Sequence, residues 1–289
     1  MRWPIAIAVL MGVMPALAKS PPELAWRHEG AVWRSPTVFE RNAVRQAARA
    51  LAEDKGRCSD SVIEVERERL AGVGLRLDVF TSDGVTLVLL REGAEFFGAG
   101  ILAYRCGPAR PLVWQAPHPF FDLKTGNITL RLFEESGARA GMWSTYHRFR
   151  AEDEEVRQDS VHPADVSAEP GSLFQAMTVG LASGDRELRF VQVHGFARVT
   201  AKKWDAIVSS GDSRRPPLAV GGRLESVLGV VGVYGADDLP LGATLNAQGR
   251  ILPSGRFLHL ELNPTVRAKL RNVRKYRKAL SDAIMAGPW

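Results

Sequence analysis

The chain has 289 residues, of which 45% are hydrophobic and 24% are charged, with a formal net charge of +6. This composition can bury a substantial core, and the part after residue 18 fits one α/β domain more easily than two. The sequence contains no Walker loop, no Rossmann glycine fingerprint and no CxxC pair, which argues against nucleotide-binding and redox proteins.

The first 18 residues have the pattern of a secretory signal peptide. Arg2 precedes an apolar stretch that runs to Leu17, and small residues lead up to Ala18. Pro15 interrupts this stretch, which is shorter than the roughly 20 apolar residues that cross a bilayer. We therefore expect residues 19–289 to form a periplasmic or secreted protein without a transmembrane segment. An uncleaved membrane anchor is the alternative.

Two cysteines and a basic C-terminal segment bear on the environment of the chain. In an exported protein Cys58 and Cys106 suggest one disulfide, although two unrelated buried thiols are the alternative. A basic face on the last helix could bind an anionic envelope polymer, while a merely solvated face is commoner. Export argues against nucleic acid as a partner. The basic residues of this helix are Arg267, Lys269, Arg271, Arg274, Lys275, Arg277 and Lys278.

The N-terminal region is predicted to contain a helix and a β-hairpin. Ser35 and Pro36 suit the N-cap and first position of a helix that extends to about Asp54. Apolar and charged residues alternate over residues 75–79, and a Ser-Asp-Gly turn leads into a second strand at residues 85–91. A glycine-rich corner and a further strand follow, ending near Tyr104.

After residue 107, short apolar runs alternate with helical patterns. The strands are expected at residues 113–116, 139–146, 187–193, 205–209, 230–234 and 257–262. The helices are expected at residues 128–136, 172–181 and 217–228, with a final amphipathic helix capped by Asn263. Residues 151–169 are acidic and predict a long loop near the strand ends. We therefore predict an α/β fold with a mixed, largely parallel central sheet, flanking helices and an added N-terminal helix and hairpin.

Four of the apolar runs end in or contain a residue that could bind a metal ion or transfer a proton. Three lead to histidines, His118, His147 and His194, and the fourth contains Glu261. Because ligands bind beyond the carboxyl ends of strands in open α/β sheets, we expect these side chains to lie close together. Imidazoles and carboxylates are what a divalent metal and a general base require. The pattern predicts a metal-dependent hydrolase.

Three of the residues are candidate zinc ligands. Catalytic zinc commonly has three protein ligands, and His118, Asp122 and His194 offer two imidazoles and a carboxylate. Pro117 and Pro119 would brace the loop that presents the first two. Asp122 could instead cap the following turn or support His118 from behind. A lone strand-end histidine such as His194 is more often a satisfied core residue, but three together favour function.

Glu261 is the candidate catalytic base. Strand alternation places it on the same face as Phe257 and His259. A carboxylate among apolar neighbours has to be paired, lie near a metal or have a raised pKa. A base that takes a proton from the attacking water would lie here. The alternative is a salt bridge to an arginine.

Four further polar residues have more open roles. His147 could stabilise an oxyanion or contact substrate, and Arg148 could hold a carboxylate bidentately. Surface or core roles are equally compatible with both. Asp165 could orient His147 or the substrate. Ser172 opens a helix in a capping-box pattern, and it lacks the G-x-S-x-G surroundings of a nucleophile.

Four short segments together resemble the zinc carboxypeptidase-like amidohydrolases. They cover residues 117–122, 146–148, 191–195 and 260–262. The branch they resemble is that of N-formylglutamate amidohydrolase and poly-gamma-glutamate hydrolase, and the resemblance runs from about Leu112 to Leu270. The N-terminal region before Cys106 has no counterpart.

The resemblance implies a zinc enzyme that hydrolyses amides. Zinc would be held by His118, Asp122 and His194, and Glu261 would be the catalytic carboxylate. The implied substrate has an amide or isopeptide bond next to a carboxylate-bearing group, as in γ-glutamyl compounds, N-acyl amino acids or cell-wall peptides. The chain departs from the family in having an aspartate for the usual glutamate, four positions after the first histidine, and Pro119 for a glycine. A non-catalytic envelope protein that binds ligands on the same fold is the competing prediction.

Overall fold

The structure is a computed structural model that describes residues 33–93, 98, 100–149 and 162–289. The predicted signal peptide, most of the glycine-rich corner and the first part of the acidic loop lie outside the described residues. No helix in the described ranges is both long enough and apolar enough to cross a membrane.

Eight helices and nine strands make up the described part of the chain. The strands are β1 (Leu75–Ser82), β2 (Val85–Glu92), β3 (Ile101–Arg105), β4 (Arg110–Ala116), β5 (Ala138–Trp143), β6 (Arg189–Gly195), β7 (Ala206–Ser209), β8 (Val231–Val233) and β9 (Phe257–Leu262). The helices are α1 (Val38–Glu53), α2 (Asp60–Ala71), α3 (Thr125–Ser136), α4 (Leu173–Gly184), α5 (Leu218–Leu228), α6 (Ala247–Ile251), α7 (Pro264–Asn272) and α8 (Arg274–Met285).

The strands form one mixed sheet in the order β1-β2-β3-β5-β4-β6-β9-β7-β8. The central strands β5, β4, β6 and β9 pair in parallel. Antiparallel pairings flank this centre, from β1 to β5 on one side and between β9 and β7 on the other. The predicted fold class and the N-terminal hairpin are confirmed.

Helices cover both faces of the sheet. Helices α3, α5, α7 and α8 pack on one face, and α1, α2 and α4 pack on the other. Successive residues of β6 alternate between the two layers, so Val191 and Val193 face the first and Phe190 faces the second. By the same alternation Gln192 and His194 belong to the α1–α2–α4 face. Polar residues on this face, at the carboxyl ends of the central strands, are the starting point for a site.

Helix α1 begins later than the sequence suggested. Thr37 is the N-cap: its hydroxyl accepts from the Glu40 backbone N–H at 3.2 Å, and the Glu40 carboxylate accepts from the Thr37 N–H at 2.6 Å. This reciprocal capping box satisfies two N–H groups at once, and Arg34 adds an ion pair to Glu40. The prediction that Ser35 and Pro36 begin the helix was wrong.

The predicted final helix is two helices, α7 and α8, separated at Val273. Arg277 reaches back and donates to the carbonyls of Leu270 and Arg271 at 2.6 and 3.0 Å, which satisfies acceptors at the end of α7. Both Arg267 and Arg277 are buried. The sequence suggested that both belong to a basic face on the last helix. Their burial excludes them from a solvated face.

Cys58 and Cys106 form a disulfide, as predicted. The bond joins the α1–α2 connection to the residue that follows β3 and closes a loop with a sequence separation of 48. A cross-link of this length restricts the unfolded chain more than the folded one, and thereby stabilises the fold.

Replacing both cysteines by serine is expected to lower the free energy of unfolding by about 2–4 kcal/mol, because the unfolded chain regains the freedom of this loop. Urea unfolding followed by circular dichroism measures the change. A reducing agent should produce a similar shift in the wild-type protein and none in the double variant. An unchanged midpoint in both experiments would contradict the assignment of a stabilising role to the bond.

Candidate metal centre

The loop after β4 presents His118 and Asp122 to the same point. The backbone N–H of Asp122 donates to the His118 carbonyl at 2.8 Å, which forms one helical turn. Residues four apart on such a turn lie on one side of it. The Nδ1 atom of His118 is 3.5 Å from Asp122 Oδ2. Asp122 does not cap α3, because the N-cap position belongs to Lys124.

His194 completes a group of three. It lies on β6, next to β4 in the sheet, and its Nδ1 is 3.2 Å from the same Asp122 Oδ2. The candidate ligand atoms of His118, Asp122 and His194 all lie within 4.8 Å of one another, and all three residues are buried. The structure thus brings the three predicted ligands together.

The outer nitrogen of each imidazole faces an oxygen that acts as an acceptor. His118 Nε2 is 2.7 Å from Asp165 Oδ1, and His194 Nε2 is 3.1 Å from Gln192 Oε1. With the proton on Nε2, a neutral ring keeps its lone pair on Nδ1. Two lone pairs and the Asp122 carboxylate then face one another, and a cation between them would relieve the repulsion. This is the arrangement of zinc-ligating histidines held from behind by hydrogen-bond acceptors.

The spacing of the donor atoms suits zinc. Zinc bonds to nitrogen and oxygen of roughly 2.0–2.1 Å place tetrahedral ligand atoms about 3.3–3.4 Å apart. The two distances from Asp122 Oδ2 to the histidine Nδ1 atoms, 3.2 and 3.5 Å, bracket that value. Chemistry and spacing of the donor set therefore both fit the metal that the sequence suggested.

The two carboxylates of the site are held in the charged form. Burial alone would raise the pKa of Asp122, but hydrogen bonds from His118 and His194 outweigh it and lower the pKa well below the usual value. Burial likewise opposes the shift at Asp165, where His118 and Arg148 lower the pKa. A negative charge is thus maintained at the point where the imidazoles meet.

The two histidines respond differently to burial. Burial lowers the pKa of His118, but its contacts with Asp122 and Asp165 raise the pKa above the ordinary value overall. Burial lowers the pKa of His194, and Asp122 offsets this only in part. His118 is thus in the more negative surroundings, which favour a cation of any kind.

Glu261 lies beside this group on β9. It is the register partner of His194 across the parallel β6–β9 pair. Candidate ligand atoms of His194, His259 and Glu261 lie within 4.8 Å of one another. The Glu261 Oε1 atom is 3.6 Å from His259 Nε2, and Oε2 has no hydrogen-bond partner among the described residues. The expected convergence of His118, His194 and Glu261 is therefore present.

Burial, with a further contribution from the charge of Asp122, raises the pKa of Glu261 to about 8. Among the described residues no arginine forms an ion pair with Glu261. The alternative role of this residue, a salt bridge to an arginine, is therefore not present there. A carboxylate with a pKa near the working pH is well suited to accept and return a proton.

The two groups of candidate ligands share His194 and therefore describe one ion rather than two. A nitrogen lone pair binds one metal, and the other nitrogen of His194 is bonded to Gln192. His118 and Asp122 complete the first group with short distances, whereas Glu261 and His259 are left at its rim. This assignment leaves Glu261 available for proton transfer.

Asp165 contacts His118 and Arg148, whereas the sequence suggested His147 as its partner. Arg148 forms an ion pair with Asp165, and its Nη1 is 3.3 Å from His118 Nδ1. The guanidinium also lies over the rings of Phe121 and Phe149, at 5.5 and 4.9 Å from their centroids. A substrate carboxylate would therefore meet an arginine that already has a carboxylate partner.

His147 lies outside the groups of candidate ligands, although the sequence predicted that it would lie close to them. The strand expected to end at Tyr146 ends at Trp143, so His147 follows a short connection. Its Nδ1 accepts from the Phe149 backbone N–H at 3.2 Å, and its ring packs edge-on against Phe121 at 5.7 Å. His147 belongs to neither ligand group among the described residues.

Ser172 caps helix α4. Its hydroxyl accepts from the Gln175 backbone N–H at 3.1 Å and donates to the Val166 carbonyl at 3.4 Å. The Gln175 side chain does not return to Ser172, since it donates to the Ala247 carbonyl and accepts from Gln248. Only half of the predicted capping box is formed, and the hydroxyl has a structural role.

The sequence patterns gave Gln192, His259 and Arg267 no role in the site. Strand alternation placed His259 on the face of Glu261, and the same alternation could have placed Gln192 on the face of His194. Arg267 was counted as part of a basic face. It donates to the Leu123 carbonyl at 2.8 Å and to the Phe196 carbonyl at 3.2 Å, so it ties the ligand loop to the end of β6.

Gly195 permits this close approach of Arg267. A Cβ atom at Gly195 would lie 2.4 Å from Arg267 Nη1, a distance that no real contact of this kind reaches. The glycine directly after His194 therefore has a packing reason. It allows the guanidinium to cross the strand end and hold the loop that carries Asp122.

Comparison with known proteins gives structural neighbours only. The chain matches no protein-family model and no curated protein. A bacteriophage poly-gamma-glutamate hydrolase matches with a TM-score of 0.36 and 13% identity, over 65% of this chain and 89% of the phage protein. An N-formylglutamate amidohydrolase from Ralstonia eutropha JMP134 matches with a TM-score of 0.40 and 11% identity, over 66% of this chain and 97% of that protein.

A third neighbour is a zinc-free form of the protein YNDL. It matches with a TM-score of 0.37 and 13% identity, over 65% of this chain and 88% of that one. Identities of 11–13% and TM-scores of 0.36–0.40 are too low to carry a functional argument. A function for this chain therefore has to be argued from its own site.

Replacing Arg267 by methionine is expected to lower the free energy of unfolding by about 1–3 kcal/mol, because it removes the donor of the buried Phe196 carbonyl and of the part-buried Leu123 carbonyl. Urea unfolding measures the change. Arg271→Met on the same helix is the matched control, since Arg271 is exposed and should change stability by less than about 0.5 kcal/mol. Equal effects of the two substitutions would contradict the role of Arg267 as a clamp.

Proposed function

We propose that this protein is a zinc-dependent hydrolase that cleaves amide bonds, with zinc held by His118, Asp122 and His194. One observation carries the proposal: the outer nitrogens of both histidines face acceptors, and both Nδ1 atoms lie within 3.5 Å of one carboxylate oxygen. Three donors arranged in this way are a cation site, and a buried one made of two imidazoles and a carboxylate suits zinc.

Zinc bound at such a position supplies a Lewis acid that polarises a carbonyl and lowers the pKa of water to about 7. In the proposed reaction Glu261 accepts a proton from the attacking water at a carboxylate oxygen. It then donates that proton to the nitrogen of the leaving amine. The second oxygen of Glu261 has no partner among the described residues and is thus available for this exchange.

The proposed substrates carry a carboxylate next to the bond that is cleaved. Arg148 lies at the site, where it pairs with Asp165 and keeps about a quarter of its side chain exposed. This leaves a cationic donor for an anionic substrate beside the aromatic rings of Phe121 and Phe149, both of which are partly exposed. We therefore favour γ-glutamyl compounds, N-acyl amino acids or cell-wall peptides as the substrate class.

We further propose that the protein acts outside the cytoplasm. The N-terminal sequence pattern of export is supported by the Cys58–Cys106 disulfide, since such bonds persist in oxidising compartments. Cell-wall peptides and polymers of γ-glutamate are accessible to an enzyme in that location.

Protein reconstituted with zinc and then dialysed is expected to retain close to one zinc per chain by elemental analysis. His118→Ala and His194→Ala should weaken zinc binding by more than the ~10–100-fold that loss of a supporting residue costs, because each removes a ligand. His147→Ala is the control and should retain the metal, since His147 lies outside the ligand group. Full zinc retention by both ligand variants would disprove the assigned site.

Glu261→Gln is expected to keep zinc and lower kcat by about 10²–10⁴-fold, since the amide cannot accept a proton. Turnover is measured on a panel of N-acyl amino acids, γ-glutamyl peptides and cell-wall peptides. Glu225→Gln, an exposed substitution on α5, controls for purification and folding and should match the wild type. A protein that binds zinc but turns over none of the panel would instead support the non-catalytic binding protein.

A further inference from the structure

Gln192 connects His194 to a set of buried amide side chains. The two residues lie on one face of β6, and Gln192 Oε1 accepts from His194 Nε2 at 3.1 Å and from Asn246 Nδ2 at 2.7 Å. Its Nε2 donates to Gln115 Oε1 at 3.0 Å and to Gln248 Oε1 at 2.7 Å. Gln192 is fully buried, and both its lone pairs and both its hydrogens have partners.

The meaning of this contact depends on which way the Gln192 amide points. A side-chain amide can be turned by half a rotation, which exchanges its oxygen and nitrogen, and only its neighbours decide between the two arrangements. Three of the four neighbours of Gln192 are themselves fixed by groups whose donor or acceptor role is known. The direction of the whole network is therefore determined.

Backbone groups fix two of these neighbours. The Oδ1 atom of Asn246 accepts from the Gly249 N–H at 2.9 Å, so its Nδ2 must face Gln192. The Nε2 atom of Gln248 donates to the Val166 carbonyl at 3.0 Å, so its Oε1 must face Gln192. A turned Gln192 amide would set nitrogen against nitrogen and oxygen against oxygen.

The third neighbour is fixed through a hydroxyl. Thr178 donates its hydroxyl hydrogen to the Phe174 carbonyl at 3.0 Å, so it can only accept from Gln115 Nε2, which is 2.9 Å away. The Oε1 atom of Gln115 is thus the atom that faces Gln192. Three independent anchors place Gln192 Oε1 towards His194.

This direction bears on where the proton of His194 lies. Gln192 Oε1 offers Nε2 an acceptor of fixed position, and Asp122 Oδ2 offers Nδ1 another at 3.2 Å, whereas a neutral imidazole has only one proton. With that proton on Nε2, the Nδ1 lone pair faces Asp122. The alternative tautomer would donate from Nδ1 to Asp122 and could not bind a metal there.

We propose that Gln192 is a positioning residue, which holds His194 in the Nε2–H tautomer and so keeps Nδ1 ready for a metal ion. The inference rests on the zinc site proposed above. It also distinguishes the two histidines, because His118 is held by a charged carboxylate whereas His194 is held by a neutral amide with a fixed direction. The amide network acts on the metal only through His194.

The test uses ¹⁵N NMR of the histidine side chains in the metal-free full chain, with His194 assigned by the signals lost in His194→Ala. In the wild type, His194 should have a protonated Nε2 and an unprotonated Nδ1. In Gln192→Leu the proton should move to Nδ1, where Asp122 is an acceptor. Competition with a chromophoric chelator should show zinc binding weakened by about 10–100-fold in this variant.

Gln175→Leu is the matched control. Gln175 is a buried amide at the far end of the same network, where it contacts Gln248 but not His194. Its substitution has a similar effect on burial and should leave the tautomer of His194 unchanged. Zinc binding should stay within about threefold of the wild type, because Gln175 does not contact His194 and the Val166 carbonyl still fixes Gln248.

A wild-type His194 protonated on Nδ1 would overturn the proposal, and so would a Gln192→Leu variant that keeps both tautomer and zinc affinity. If Gln192→Leu does not fold, Gln192→Met offers a flexible side chain of similar length, and the wild-type spectrum decides in any case. Should the wild type bind no zinc, the proposed function fails, while the comparison of spectra still decides whether Gln192 sets the tautomer.

Discussion

One carboxylate oxygen, Oδ2 of Asp122, organises the candidate site. It lies 3.2 Å from His194 Nδ1 and 3.5 Å from His118 Nδ1, and all three residues are buried. Buried polar atoms are stabilised where partners satisfy them, and three neighbouring side chains support this meeting point. Asp165 and Gln192 contact the outer nitrogens of the two imidazoles, and Arg267 donates to the loop that carries Asp122.

The parallel centre of the sheet explains why such distant residues meet. Strands β4, β6 and β9 are neighbours that run in the same direction, so their carboxyl ends lie at one edge. The register pairs His194 with Glu261 and, one row inside, Gln115 with Gln192 and Gln192 with His259. A polar row therefore lies directly beneath the row that contains His194 and Glu261, on the same face of the sheet, and supplies hydrogen bonds where apolar side chains could not.

Much of this arrangement could be predicted from the sequence. The strand-end histidines and the alternation of β9 were sufficient to predict that His118, His194 and Glu261 lie close together. Period-two patterns fix the face of the sheet, and parallel crossovers fix the edge. The disulfide between Cys58 and Cys106 and the Asn263 cap of α7 could also be predicted from the sequence.

Contacts between residues far apart in the chain could not be predicted in this way. The bonds of Asp165 to His118 and of Arg267 to Leu123 depend on loop paths that no periodicity encodes. A buried arginine on a charged helix has the same sequence pattern as an exposed one. The start of helix α1 could not be predicted correctly even from neighbouring residues. Ser35 and Thr37 are both suitable N-caps, and the reciprocal bonds of Thr37 and Glu40 decide between them.

The charges around the site explain how Glu261 could work as a base. Asp122 and Asp165 each contribute a negative charge, and Arg148 compensates one of them. Burial and the charge of Asp122 raise the pKa of Glu261 to about 8, which keeps the carboxyl largely protonated at neutral pH. A divalent cation beside Asp122 would more than cancel that negative charge and lower the pKa of Glu261. The protein thus places a carboxyl whose readiness to accept a proton depends on the presence of the cation, so base and metal would become competent together.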